Sequence, residues 1–269
     1  MLDLCGIELA GPVLNGSGTF DAIAARRAFG DVLLERFPFD AFVSKTITLE
    51  PREGNPPPRL WETPAGLINS IGLPNKGLEG FLGSDLPQLA ELPVPLIVSV
   101  MGFSRDELAT LVTRVGEREE VALIELNVSC PNVETGLIMG ANPVETARAL
   151  ETVRPLTTKG LIVKLTPNCA SPAAVAVAAE QHGADAVSLV NTLRGMAMHP
   201  RRPGEPWLEP PRRRERTPSP SSTRSRAWRS IRAPRSHGSG AGPAGCRAPP
   251  SARWRSSRWR AWPARSACR

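Results

Sequence analysis

The sequence predicts an α/β fold on a parallel sheet, and within that class a (β/α)8 barrel that runs for about six βα units before the pattern stops. Three observations predict it. Short runs rich in Val, Ile and Leu, with little alternation, recur between capped helical segments, as strands covered on both faces do. Polar side chains with binding chemistry stand at the end of nearly every run: Ser17, Lys45, Ser99, Asn127 with Cys130, Lys164, and Asn191 with Thr192. A doubly wound sheet gathers its ligand groups at one crevice, whereas a barrel collects them from many strand ends at its C-terminal face. Near residue 200 the composition changes sharply, which bounds the predicted fold.

The first strand is the run ending at Gly16, where Asn15-Gly16-Ser17-Gly18 presents backbone N–H groups suited to a phosphate. Residues 41–48 form the second and carry Lys45 inside an apolar stretch. Residues 52–73 are too long and irregular for an ordinary βα link. Their second half is largely apolar, broken by Asn69 and Ser70, which predicts a loop folded over a site. The third strand is 96–102, followed by Ser104-Arg105-Asp106-Glu107, a capping box at a helix start. Strands four to six are 121–127, 161–165 and 185–191. Asn142-Pro143 and Ser171-Pro172 each set a capping side chain before a proline, and Gly183 is a left-handed cap after an Ala-rich helix.

The formal net charge of +7 is a sum of unlike parts. Residues 201–269 hold 18 of the 33 Lys+Arg, all of them Arg, and only 3 of the 26 Asp+Glu. The first 200 residues are therefore acidic and the remainder strongly basic. Global charge excludes nothing by itself, and no nucleic-acid function follows from it. Residues 201–269 contain Leu208 and Ile231 but no Val, Phe, Lys or Asp, and five of the six Trp. Such a segment has too little aliphatic content for a core, so a disordered basic tail is expected. Two readings of it stand: an Arg- and Trp-bearing arm for nucleic acid, or the residue set that a GC-rich gene yields out of frame. The expected division is a partial barrel over 1–200 and the tail over 201–269.

No apolar run approaches the ~18 residues of a membrane span, so no membrane association is expected. The start Met1-Leu2-Asp3-Leu4-Cys5 lacks a basic n-region and an apolar stretch, which argues against a signal peptide. Five cysteines without a C-x-x-C argue against zinc and against a disulfide framework. A reduced, cytoplasmic chain is the expectation.

The sharpest chemical feature is Glu125-Leu126-Asn127-Val128-Ser129-Cys130-Pro131-Asn132-Val133. Asn127 and Asn132 offer donors and an acceptor together, as reading the edge of a heterocycle requires. Pro131 biases Cys130 towards an extended conformation and so helps aim its thiol, a group able to act as base or nucleophile. Lys45 and Lys164 sit within apolar strands, where a cation is costly without an anionic or electron-rich partner. Asn191-Thr192-Leu193-Arg194-Gly195 ends a further strand in amide and hydroxyl groups.

These segments, with Asn69-Ser70-Ile71-Gly72-Leu73, Val43-Ser44-Lys45-Thr46, Val163-Lys164-Leu165-Thr166-Pro167 and Val190-Asn191-Thr192, together resemble the dihydroorotate dehydrogenases over residues 1–200. The cysteine in Ser129-Cys130-Pro131 is similar to class 1, and Gly54-Asn55-Pro56-Pro57-Pro58-Arg59 to its NAD-linked type B catalytic subunit. The resemblance implies a TIM barrel that binds FMN and oxidises dihydroorotate to orotate in pyrimidine biosynthesis. It implies Cys130 as the base, with Lys45, Asn69, Ser70, Ile71, Gly72, Leu73, Asn127, Asn191 and Thr192 at the substrate. Ser17, Lys45, Thr46, Ser99, Asn127, Lys164 and Val190 would line the flavin, Ser99 standing where the family's strand usually has Asn. It also implies a separate iron–sulfur/FAD electron-transfer subunit and a homo-oligomer. A related flavin enzyme of the dihydropyrimidine dehydrogenase kind is the enzymatic alternative. An inactive frameshifted product or a basic-tailed nucleic-acid binder is the other.

Overall fold

A computed structural model of the protein describes residues 2–63, 66–129 and 139–196. The chain divides into two units, Met1–Arg214 and Glu215–Arg269, and every described residue lies in the first. The basic segment 201–269 and Cys130 lie outside the described residues.

The chain opens with a hairpin absent from the expectations above, β1 (Leu2–Leu4) paired antiparallel with β2 (Ile7–Leu9). Its two turn residues, Cys5 and Gly6, both have positive φ (54° and 82°), the geometry a two-residue primed turn demands. Strands of three residues are too short for alternation to register in a sequence. Helix α1 (Ala22–Phe29) follows, capped by Asp21, whose carboxylate accepts from the Ala24 N–H. Then come α2 (Val32–Glu35), β3 (Phe42–Val43) and a second hairpin, β4 (Leu60–Thr63) with β5 (Gly66–Asn69). That hairpin replaces the irregular loop expected over 52–73. Its faces alternate, Trp61 and Thr63 half-buried and Leu60 and Glu62 exposed, as a strand with one covered face does.

Helices α3 (Gly77–Gly80) and α4 (Leu86–Leu89) are joined through a π turn at Phe81–Asp85. The remainder alternates regularly: β6 (Leu96–Val100), α5 (Arg105–Gly116), β7 (Leu123–Asn127), α6 (Pro143–Val153), β8 (Gly160–Lys164), α7 (Pro172–Gln181) and β9 (Ala186–Ser188). The expected caps are all present. Ser104, Asn142 and Ser171 accept from the first-turn N–H groups of α5, α6 and α7. Glu107 reaches back to the Phe103 N–H at 2.8 Å, and Gly183 has φ +95°.

Strands β3, β6, β7, β8 and β9 form one parallel sheet in sequence order, and Leu14 adds a parallel bridge to Ala41 on the free side of β3. A doubly wound sheet would reverse its order at a switch point, and none of these neighbours does. The sheet is also curled. Leu14, at one edge, and Ala186, at the other, pack on the same small cluster of Leu9, Ala41, Val43, Ile97, Leu123 and Ile162. On the outer face Leu108, Leu111, Val112 and Val115 of α5 are buried against Val98, Val100, Ile124 and Leu126. The first hairpin plugs the inner face where the strands begin: a Cβ on Gly160 would lie 2.7 Å from Leu123 and 2.8 Å from the Cys5 Cβ. Burial first, then the Asp185 and Asp3 carboxylates, push the Cys5 thiol up, so it stays protonated as a packing group.

The second strand is shorter than expected. Regular pairing ends at Val43, and only Ile47 rejoins the ladder, through a parallel bridge to Val100. On the side away from β6, the buried Asn15 side chain accepts from the Val43 N–H and donates to the Val43 carbonyl, both at 2.8 Å. A carboxamide thus stands in for a neighbouring backbone strand. Lys45, beyond the regular pairing, is exposed rather than enclosed in apolar surroundings. Among the described residues no helix is long and apolar enough to cross a membrane.

Candidate active site

Side chains on a strand alternate between faces, so the inner cluster predicts what lies above it. Two residues beyond Ile97 is Ser99; beyond Leu123 come Glu125 and Asn127; beyond Ile162 is Lys164. Each strand begins apolar on the inside and ends polar, which concentrates polar chemistry where the strands end. Ser99, Glu125 and Asn127 are buried, and the Lys164 side chain is 12% exposed.

These groups are connected. Ser99 Oγ donates to Glu125 Oε1 at 2.9 Å, and Lys164 Nζ lies 3.8 Å from the same oxygen. Thr46 Oγ1 is 2.9 Å from Ser99 Oγ and 3.0 Å from Ser17 Oγ, and accepts from Asn127 Nδ2 at 3.2 Å. Asn191 Nδ2 then donates to Asn127 Oδ1 at 3.2 Å and to Ser129 Oγ at 2.8 Å. The ends of the five strands of the sheet, with Ser17 beyond the Leu14 bridge, are tied together by side chains. Of the residues singled out in the sequence, the network joins Ser17, Thr46, Ser99, Asn127, Lys164 and Asn191. It also uses Glu125, which sequence reasoning leaves out.

Beside the network is a cavity of about 600 Å³ lined by Asn69, Ser129, Thr166, Asn168, Asn191 and Thr192, among others. Asn168 is a second residue that sequence reasoning misses. Its side chain donates to the Thr192 carbonyl and accepts from the Arg194 N–H, which holds the segment after Val190 in place. Val190 itself is exposed, beyond the end of β9. Lys45 is not brought into this cavity; it lines another, of about 490 Å³, with Ser44, Arg52 and Asn75.

The Asn69–Leu73 stretch is buttressed from beneath. Asn55 Nδ2 donates to the Ser70 carbonyl at 2.9 Å and to Ser70 Oγ at 2.8 Å, and the Asn55 N–H donates to the Ile71 carbonyl at 3.0 Å. Gly72 makes the approach possible: its φ is +75°, and a Cβ there would fall 2.6 Å from the Asn55 nitrogen. Gly72→Ala is therefore expected to cost about 1–3 kcal/mol. A lowered thermal midpoint with increased proteolysis between residues 52 and 73 would register it, and unchanged melting would refute the strain.

A flat heterocycle with alternating C=O and N–H groups finds fitting partners here. Asn127 and Asn191 offer carboxamides, Ser17 offers a half-buried hydroxyl, and the 3.8 Å ion pair leaves Lys164 its N–H donors for an electron-rich edge. The donor set suits the ring of a flavin such as FMN.

Comparison with known proteins agrees with this chemistry. A family model described as dihydroorotate dehydrogenase matches residues 1–204. A protein of Pelobacter propionicus, "Dihydroorotate dehydrogenase B (NAD(+)), catalytic subunit", is 44% identical over 199 residues, covering 73% of this chain and 64% of that protein. Proteins of the same name from Thermoanaerobacter sp. and Desulforudis audaxviator are 41% and 43% identical, covering 74% and 72% of this chain. The chain spans 64% and 62% of the length of those two relatives. The matched region carries the whole polar network at the strand ends, and the chain belongs to the dihydroorotate dehydrogenase family.

Proposed function

We propose that residues 1–204 form the larger part of a flavin-dependent active site that oxidises dihydroorotate to orotate, the redox step of pyrimidine biosynthesis. The observation that carries the reading is the side-chain network from Ser17 through Thr46 and Asn127 to Asn191, with Lys164 beside it. FMN, when bound, would accept the hydride from C6 of dihydroorotate. Cys130 takes the proton from C5, a role resting on the family resemblance. Asn69, Asn127, Asn191 and Thr192 hold the substrate ring by its amide edges, supported by the Asn69–Leu73 stretch. Lys45, which lines the other cavity, is given the substrate carboxylate on the family resemblance, its exposed stem leaving the ammonium free to reach it. Lys164 stabilises negative charge at the N1–C2=O edge of the flavin. Ser17, Thr46, Ser99 and Val190 complete the flavin wall.

The complete fold in this reading is a (β/α)8 barrel to which the chain contributes about six units. Barrels of this kind often grip phosphate with the loops after strands seven and eight. Residues 201–269, with two large aliphatic side chains, have the composition of an out-of-frame segment and supply neither. A one- or two-base correction near the codons for residues 195–215 would restore them. The restored protein is expected to stay yellow through gel filtration and to reduce a dye with dihydroorotate. The 269-residue chain is expected to bind FMN about tenfold or more weakly and to turn over poorly. A restored protein that holds FMN yet leaves dihydroorotate untouched would refute the activity. An active, monodisperse 269-residue chain would refute the frameshift.

A further inference from the structure

We propose that Glu125 is a positioning residue, and that with Ser99 it sets the effective charge of Lys164 towards a bound flavin. The proposal rests on the flavin reading above and deepens it.

Glu125 is 4% exposed in the middle strand of the sheet, facing inward. A carboxylate so placed is tolerated only when its charge is answered, and two groups answer it at a single oxygen. Ser99 Oγ donates at 2.9 Å, and Lys164 Nζ stands 3.8 Å away. The longer distance matters. It lets the negative charge offset the ammonium without occupying its hydrogen-bond donors.

The direction of donation between Glu125 and Asn127 follows. A carboxylate only accepts, so the one hydroxyl proton of Ser99 is spent on Glu125. Ser99 must then accept from Thr46, whose own proton is thereby spent. Thr46 is left as an acceptor, and Asn127 Nδ2 donates to it at 3.2 Å. The Asn127 amide agrees with that sense, its oxygen held by the Ser129 N–H and by Asn191 Nδ2. Glu125 at one end and the Ser129 N–H at the other thus agree on one sense of donation through Ser99, Thr46 and Asn127. A serine at position 99 suits this role, since a hydroxyl both donates to Glu125 and accepts from Thr46 within one short side chain.

Sulfite is the probe, because it adds more tightly to a flavin when more positive charge lies beside the ring. Its affinity is measured by bleaching of flavin absorbance, with FMN saturating, on the full chain and its frame-restored counterpart. Glu125→Gln leaves Lys164 unopposed and is expected to tighten sulfite binding about tenfold. Ser99→Ala withdraws the donor, strengthens the field of Glu125 on Lys164, and is expected to weaken it about threefold. Lys164→Met weakens it, and adding Glu125→Gln to that variant is expected to change nothing further. An effect of Glu125→Gln that persists without Lys164, or no effect in its presence, would overturn the proposal while leaving the flavin reading intact. If Glu125→Gln does not fold, the sign of the Ser99→Ala change decides. Sulfite affinity of the parent protein equal to that of free FMN would remove the flavin reading, and this proposal with it.

Discussion

Cys130→Ala in the frame-restored protein is expected to lose dihydroorotate oxidation by about 10²–10⁴-fold, the usual cost of removing a general base. FMN binding should survive, because the flavin-facing groups proposed above lie on other residues. Substrate affinity should change little, since the thiol acts on one proton and the ring is held by amides. Cys5→Ala is the internal control. That thiol is raised by burial and packs in the plug at the far end of the strands, so its loss should leave turnover unchanged. Full turnover by the Cys130 variant at saturating dihydroorotate would take Cys130 out of the mechanism.

Reduction of NAD is expected to need a second polypeptide. The five cysteines are scattered along the chain, and no G-x-G-x-x-G follows a predicted strand, so neither an iron–sulfur cluster nor FAD has a recognisable cradle. Among the described residues there is no group of three or more His, Cys, Asp or Glu suited to a metal. The purified catalytic chain should therefore pass electrons to a dye but leave NAD at background. Addition of a type B electron-transfer subunit should restore NAD reduction. Rapid NAD reduction by the chain alone would refute this, and direct reduction of fumarate would point to a different acceptor.

Much of the fold is legible in the sequence because its strands are short apolar runs ending in polar groups. Leu96 to Val100, Leu123 to Asn127 and Gly160 to Lys164 fall within one residue or two of the expected runs. Helix starts are legible for a local reason, since Ser104, Asn142 and Ser171 each bond within their own first turn. Asn15 is not, because its function is to bond a strand 28 residues away in place of backbone. Glu125 carried a readable signal. It lies two residues from Leu123 and from Asn127, so on a curled sheet it must share their inward face. A lone acid in an apolar strand reads as an exception until that period is applied across neighbouring strands. Lys45 shows the opposite error: an apolar neighbourhood in sequence is no guarantee of enclosure once regular pairing stops at Val43.

The hairpin Leu2–Leu9 seals one end of the curled sheet, and above it Val43, Ile97, Leu123 and Ile162 form a hydrocarbon floor. A proton moves by stepping between hydrogen-bonding groups, and that floor contains none to step on. Among the described residues that floor gives a proton no hydrogen-bonded step downwards, so exchange at the polar rim is expected on the side where the strands end. A ligand seated over the strand ends and solvent exchanging with the same polar groups are therefore expected to compete.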